Sequence, residues 1–337
     1  MREELKSVSG RIFGMLLKPI TQALGFLFRP LITLYKRLPM FWQDTLTAYL
    51  YILPSMLVLA VFVFYPFFSS FVLSLFKWSS LNPPGTFVGI DHYAYLVGNK
   101  QFLESLWHTV YYVIVSVPLT LVIALVFASI LDKALRFLSF YRVAYFLPYI
   151  SPVVALVMVW RWMFNTNYGL INYFISLLDK IPFISIDPVN WFREPAVAIP
   201  MLIAYSVWKF VGYQAIILLA GLQGIDKMYY DAAKIDGATG LQTWRKVTLP
   251  LLSPQIFFVF VMSLIGSFKV YTEVAILFGG PGPLGSARTI VMYIVEQGFQ
   301  GVYRLGRAAA ASVILFGIIF ALTVFQMLFT QKRVHYQ

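Results

Sequence analysis

The sequence predicts an all-α, polytopic membrane protein with six transmembrane helices and a cytoplasmic helix–turn–helix loop. Three observations lead there. The 337 residues are 60% hydrophobic and 12% charged, with a mean hydropathy of +0.76, whereas a soluble domain is about 25% charged. Apolar runs near the ~20 residues that a helical span needs recur along the chain. One polar, helix-forming stretch, DAAKIDGATGLQTWRKVTLPLLSP from Asp231 to Pro254, separates two of those runs.

The same composition excludes several functions. The net charge is +12, but the basic residues are scattered between apolar runs and form no continuous patch, so no nucleic acid is expected as a partner. That charge suits basic loops facing anionic membrane lipid. The absence of cysteine removes disulfides, thiolate metal sites and a cysteine nucleophile. The three histidines, His92, His108 and His335, are dispersed, so no metal site is expected. No nucleophile, base and orienter can be assembled, and no catalytic residue is assigned.

Residues 1–46 form a basic, interrupted segment. Arg2, Lys6, Arg11, Lys18, Arg29, Lys36 and Arg37 punctuate short apolar runs, and Pro19, Pro30 and Pro39 break them. This predicts a cytoplasmic or interfacial segment, not a cleaved signal peptide. The first span is expected from about Thr47 to Phe76, kinked at Pro66, with Lys77 and Trp78 as interfacial anchors. The second runs from about Trp107 to Leu131. The third runs from about Val143 to Phe164, with Pro148 and Pro152 placed at a helix start. The fourth is about Ala196 to Leu222, the fifth Leu251 to Phe278 and the sixth Ala308 to Thr330. Residues 331–337 form a short cytoplasmic tail.

The stretch between the fourth and fifth spans has its own punctuation. The carboxylate of Asp226 is placed to cap a short helix, MYYDAAKI. Gly237 ends it in the left-handed conformation. Thr239 and Gln242 fit a capping box for a second short helix through Trp244 and Val247. Pro250 is expected to stop that helix and open the next. Ala232 and Ala233 are small enough to admit another surface closely.

This stretch resembles the EAA loop of the membrane subunits of ATP-binding cassette (ABC) importers. The family pattern is Glu-Ala-Ala, Gly, an aliphatic residue and Leu-Pro at set offsets. It is met by Asp231, Ala232, Ala233, Gly237, Val247, Leu249 and Pro250, with aspartate in place of glutamate. The phrases FVGIDHYAYLV after the first span, YGLIN (Tyr168 to Asn172) after the third and GGP (Gly279 to Pro281) after the fifth are similar to those of the carbohydrate-uptake, maltose-type branch. The resemblance implies a permease domain over residues 47–330, with a coupling loop at 223–250. It implies a second homologous permease, two ATPase subunits and an extracytoplasmic solute-binding protein as partners. ATP and Mg²⁺ would sit on the ATPase and no cofactor on this chain. The setting would be a bacterial or archaeal plasma membrane.

Charge supports the orientation. Six spans with a cytoplasmic N-terminus place Lys133, Arg136, Arg142, Lys227, Lys234, Arg245, Lys246, Lys332 and Arg333 inside with the N-terminal cluster. The loop then faces the cytoplasm, where ATP is. The chain holds no G-x-x-x-x-G-K-[ST] phosphate loop, and GGPGPLG reads as a turn, so the motor must be another chain.

Polar residues within spans mark the candidate path. The fourth carries Ser206, Trp208, Lys209, Tyr213 and Gln214, and the fifth Ser267, Lys269, Tyr271, Thr272 and Glu273. Two readings of the lysines stand together. In one, Lys269 pairs with Glu273 at i,i+4 spacing and Lys209 contacts backbone or snorkels. In the other they meet solute. The resemblance points to Ser206, Lys209, Phe210, Tyr213, Ile265, Gly266 and Lys269 as lining residues. The implied solute is a carbohydrate; the lysines keep an anionic one, a uronate oligomer or glycerol phosphate, open. An ATPase-independent secondary transporter would instead show inverted repeats, and none is evident; a structural or sensory protein would leave the polar spans unexplained.

Overall fold

A computed structural model describes residues 39–78, 85–132, 138–178, 188–300 and 303–330. The basic segment up to residue 38, the tail at 331–337, and Lys133, Arg136 and Lys180 lie outside the described residues. Among the described residues, four helices are long and apolar enough to span a membrane, or six when each of two bent pairs counts as one. The chain divides into two units, residues 1–69 and 70–337.

The described part of the first unit is the start of one long apolar helix. Helix α1 (Met40–Leu59) begins ahead of the expected Thr47, passes through a π turn (Ala60–Phe64) and continues as α2 (Tyr65–Leu73). The π turn directly precedes Pro66. Proline lacks the N–H that would close the preceding turn, and a widened turn accommodates the loss. No residue of α1 is buried.

The second unit opens with a minimal hairpin. Strand β1 (Phe76–Lys77) pairs antiparallel with β2 (Thr86–Phe87). Helix α3 (Asp91–Gly98) follows and is held by His92, whose Nε2 lies 3.1 Å from the Phe76 carbonyl oxygen. Helix α4 (Lys100–Leu131) starts at an Asn99 cap, whose side chain accepts from the Phe102 amide at 2.9 Å. It is longer than expected.

The third span departs from expectation. It is broken into α5 (Leu138–Ile150) and α6 (Val153–Met163), bent by 96°. Pro148 lies inside α5, and Pro152 caps α6. The helix starts earlier than predicted. It must end before Pro152, because a residue preceding proline is driven from helical geometry. Arg142, expected just ahead of the span, consequently lies within α5.

Helix α7 (Leu170–Leu178) carries the YGLIN phrase, and α8 (Pro195–Gln223) is the most buried span. Helices α4 and α8 pack along each other at the centre of this unit. Gly212 lets the α5 backbone touch α8, since a Cβ there would collide with the Tyr145 carbonyl. Small residues serve helix contacts in lipid in this way.

After α8 come α9 (Lys227–Ile235) and α10 (Gly240–Thr243), a π turn (Trp244–Thr248), α11 (Leu249–Leu251) and α12 (Ser253–Ser267). Pro250 does not stop the helix as predicted. The π turn absorbs its missing donor, and the 64° bend falls at Leu252, with Pro254 opening α12. The fifth span is also interrupted. Residues Phe268 to Tyr271 are non-helical before α13 (Thr272–Phe278). A glycine-rich turn leads to α14 (Ile290–Phe299), an unpredicted short helix, and α15 (Leu305–Thr330) completes the bundle. Buried residues of α4, α8, α12, α14 and α15 share one core.

Candidate functional site

A cavity of about 340 Å³ opens among α4, α5, α8 and the interrupted fifth span. Its walls come from three kinds of side chain. Helix α4 contributes a polar stripe. Ser105, Thr109, Tyr112, Ser116 and Thr120 recur every three or four residues and are all buried, so they share one helical face. The last three line the cavity. The Tyr112 hydroxyl donates to Ser206 Oγ on α8 at 2.8 Å.

Aromatic rings form a second wall. Tyr149 and Tyr213 stack with centroids 4.1 Å apart and planes within 10°. Phe210 stands beside Tyr149 at 6.0 Å, edge-on. A flat, partly polar aromatic face suits the apolar face of a sugar ring.

Charge forms the third. Lys209 is 5% exposed. Its Nζ donates to Glu273 Oε1 at 3.0 Å and lies 5.1 Å from the Phe210 ring centroid. The pairing expected within the fifth span, Lys269 with Glu273, does not occur. Four-residue spacing brings side chains together only on a continuous helix, and the break at Phe268–Tyr271 removes that continuity. Glu273 turns instead to α8. Lys269 is exposed, lines the cavity, and among the described residues makes no ion pair.

The predicted path residues are therefore placed unevenly. Ser206, Phe210, Tyr213, Gly266 and Lys269 line the cavity. Lys209 reaches it through Glu273, which lines it. Ile265 does not line it. Gln214, singled out as a polar residue of the fourth span, also lines it, whereas Tyr112, Ser116, Thr120, Tyr149 and Ser263 were missed. The Gln214 amide donates to Ser263 Oγ at 2.9 Å. The α4 stripe was readable as a helical period of hydroxyls; Tyr149 had no sequence signal.

The second place is the loop after α8. Asp226 accepts from the Met228 amide at 2.9 Å, Gly237 has φ +72°, and the Thr239–Gln242 capping box has both its bonds. These local devices produce the two short helices, α9 and α10, joined by a turn. Asp231 pairs with Lys234 at 2.9 Å on the surface. Ala232 is exposed, but Ala233 is buried within the chain and so cannot itself admit a partner's surface. Val247, Leu249 and Pro250 are half-buried. The most outward apolar residues are Met228, Ile235 and Leu241, and Tyr229 and Trp244 are exposed to a lesser extent.

Apolar helices around a cavity with polar, aromatic and charged walls define an integral membrane transport protein. Residues 82–335 match the family described as "Binding-protein-dependent transport system inner membrane component". The chain is 31% identical over 283 residues to the trehalose/maltose transport system permease protein MalF of Thermococcus litoralis, covering 84% of this chain and 93% of that one. It is 32% identical over 296 residues to the sn-glycerol-3-phosphate transport system permease protein UgpA of Agrobacterium fabrum, covering 88% and 98%. A chain from the crystal structure of a bacterial alginate ABC transporter with its alginate pentasaccharide-bound periplasmic protein shares the fold. Its TM-score is 0.75 at 22% identity, over 87% of this chain and 98% of that one. This chain belongs to the binding-protein-dependent transport system inner membrane components. It is a multi-pass permease subunit of a binding-protein-dependent importer.

Proposed function

We propose that this permease forms part of the path for a carbohydrate-type solute and is driven by ATP hydrolysed on a separate chain. One observation carries the reading: the cavity presents a stacked tyrosine pair beside a hydroxyl-bearing face. That combination matches a ring with one apolar face and several hydroxyls. The trehalose/maltose relative is consistent with it.

The loop spanning α9 to α11 is the coupling element in this proposal. Its exposed Met228, Ile235 and Leu241 would enter a groove on the ATPase as a helix-in-groove contact. The loop would face the cytoplasm, and a second homologous permease would complete the path. ATP and Mg²⁺ would be held by two partner ATPase subunits, and an extracytoplasmic binding protein would deliver the solute. This chain's role is transport and coupling, not chemistry on the solute.

The test is co-purification from the native membrane, with ATP hydrolysis measured with and without binding protein and candidate sugars. An ATPase that is retained by the wild type and lost with Gly237→Asp or Ala232→Glu supports the reading. Transport that continues with no ATPase bound would overturn it.

A further inference from the structure

We infer that the cavity selects a solute carrying one anionic group, a carboxylate or a phosphate, and that Lys269 is the residue that meets it. This rests on the reading above that the cavity is the solute path. The argument begins with charge. Lys209 and Glu273 cancel each other through a direct bond at 3.0 Å. Lys209 is also enclosed by the rings of Tyr205 and Phe210, at 5.8 and 5.1 Å. Its charge is fully committed. Among the described residues Lys269 is then the one cationic side chain lining the cavity, and it makes no ion pair; the carboxylate that shares the cavity wall, Glu273, is bonded to Lys209.

The backbone around Lys269 adds to this. It lies on the non-helical turn between α12 and α13, so it does not share a helix face with Glu273. Gly266 lies just before it and also lines the cavity. Nothing stands within 4 Å of where a Cβ on Gly266 would be, which leaves room for a solute group. Further along the wall, Ser116 Oγ and Gln214 Oε1 are buried without a hydrogen-bond partner. Both residues belong to the cavity lining. The cavity wall thus carries hydroxyl and amide groups on one part and, on another, the Lys269 ammonium and the Glu273 carboxylate that Lys209 neutralises.

Energetics favours the anion. A neutral solute filling the cavity would strip water from the Lys269 ammonium and supply no opposite charge, which is unfavourable in a low-dielectric span. A carboxylate or phosphate replaces the lost water with a charge-assisted bond.

The experiment is uptake by cells expressing the complete importer, with two anionic probes, glycerol 3-phosphate and trigalacturonate, and two neutral ones, maltose and trehalose. Uptake of at least one anion is expected. Its rate at solute concentrations well below saturation should fall roughly 10-fold or more with Lys269→Gln and be largely kept with Lys269→Arg, as the loss of a charged hydrogen bond predicts. Membrane levels of the variant should match the wild type. Uptake of neutral probes alone, uptake of neither anion, or anion uptake indifferent to Lys269→Gln would each overturn the inference. Neutral uptake that still needs the ATPase would leave the importer reading standing while this one falls.

Discussion

Between Lys227 and Phe278, besides the bend at Leu252, the helical path is interrupted at two places by different means. At the turn between α9 and α10, every device is local. Asp226 reaches the amide of Met228, Gly237 adopts φ +72°, and Thr239 exchanges bonds with Gln242. At Phe268 to Tyr271 there is no glycine, proline or cap. There the break is held from far along the chain. The carbonyl of Val270 accepts from the Thr289 hydroxyl at 2.9 Å, and Glu273 is drawn to Lys209 on α8. Phe268, Val270 and Val274 are buried in the shared core. A break built from local signals can sit on a surface and present itself to a partner. A break built from tertiary contacts must sit in the core, and here it sets Lys269 and Glu273 against the cavity.

The largest expected effect is at the ion pair. Glu273→Gln leaves the Lys209 ammonium, 5% exposed, without its counter-charge. Removing one member of a buried pair costs about 3–5 kcal/mol. A clear fall in the thermal unfolding midpoint of the detergent-solubilised protein is expected. The double variant Lys209→Met with Glu273→Leu should recover much of it, since an apolar pair is often tolerated in place of a buried ion pair. If the single variant unfolds like the wild type, the non-local account of the second break fails.

Thr289→Val comes next. It strips the buried carbonyl of Val270 of its donor and removes the α14 cap that accepts from the Met292 amide. An unsatisfied buried carbonyl costs roughly 1–3 kcal/mol. The same melting measurement should show a smaller fall than Glu273→Gln. An unchanged midpoint would mean that the break at Phe268–Tyr271 persists without the distant bond.

These two breaks also explain what could be read from the sequence. The caps of α9 and α10 were legible because each involves residues at most four apart, whose chemistry is fixed by type. The spans were legible as apolar runs, although α1, α4 and α15 begin earlier than hydropathy alone places them. The bend at Ser151 was hidden because two prolines so close together can open a helix or divide one. The ion pair was misassigned because i,i+4 spacing presupposes a helix, and the break depends on Thr289. The stripe from Ser105 to Thr120 was overlooked because hydroxyls within helices often bond their own backbone. Ser105, Thr109 and Thr120 do so, while Tyr112 and Ser116 face the cavity. Asn172, in the YGLIN phrase, is similar. Its amide donates to the Thr166 and Val189 carbonyls, and its oxygen accepts from Trp191 Nε1. No local rule announces those partners.

Gly237→Ala sharpens the local side of the comparison. No atom lies within 4 Å of the added Cβ, so its cost is that of a left-handed backbone alone, about 1–2 kcal/mol. Hydrogen exchange should quicken over α9 and α10 and stay slow in α4 and α8. Thr239→Ala should act in the same place at about 1 kcal/mol. Faster exchange spreading into the core would show that the loop is not an independent local unit.

The smallest effect on stability is expected at Asp231. Its bond to Lys234 is 2.9 Å long, yet the two side chains are 64% and 75% exposed. An exposed pair of this kind contributes about 0–1 kcal/mol. Asp231→Asn should therefore leave the unfolding midpoint and the exchange of α9 unchanged. If the loop couples to an ATPase through this carboxylate, however, the same substitution removes its charge from the contact, and the ATPase retained on purification should fall. The contrast with Ala233→Glu is instructive. Ala233 is 7% exposed, so a glutamate there would disturb the loop's own packing and lose the partner for either reason. Asp231 separates the two causes, because a surface carboxylate that adds little to folding has a measurable effect only through what it touches in the assembled complex. Loss of the ATPase without loss of stability would assign Asp231 to docking. Retention of the ATPase would leave the exposed apolar side chains Met228, Ile235 and Leu241 to carry the contact.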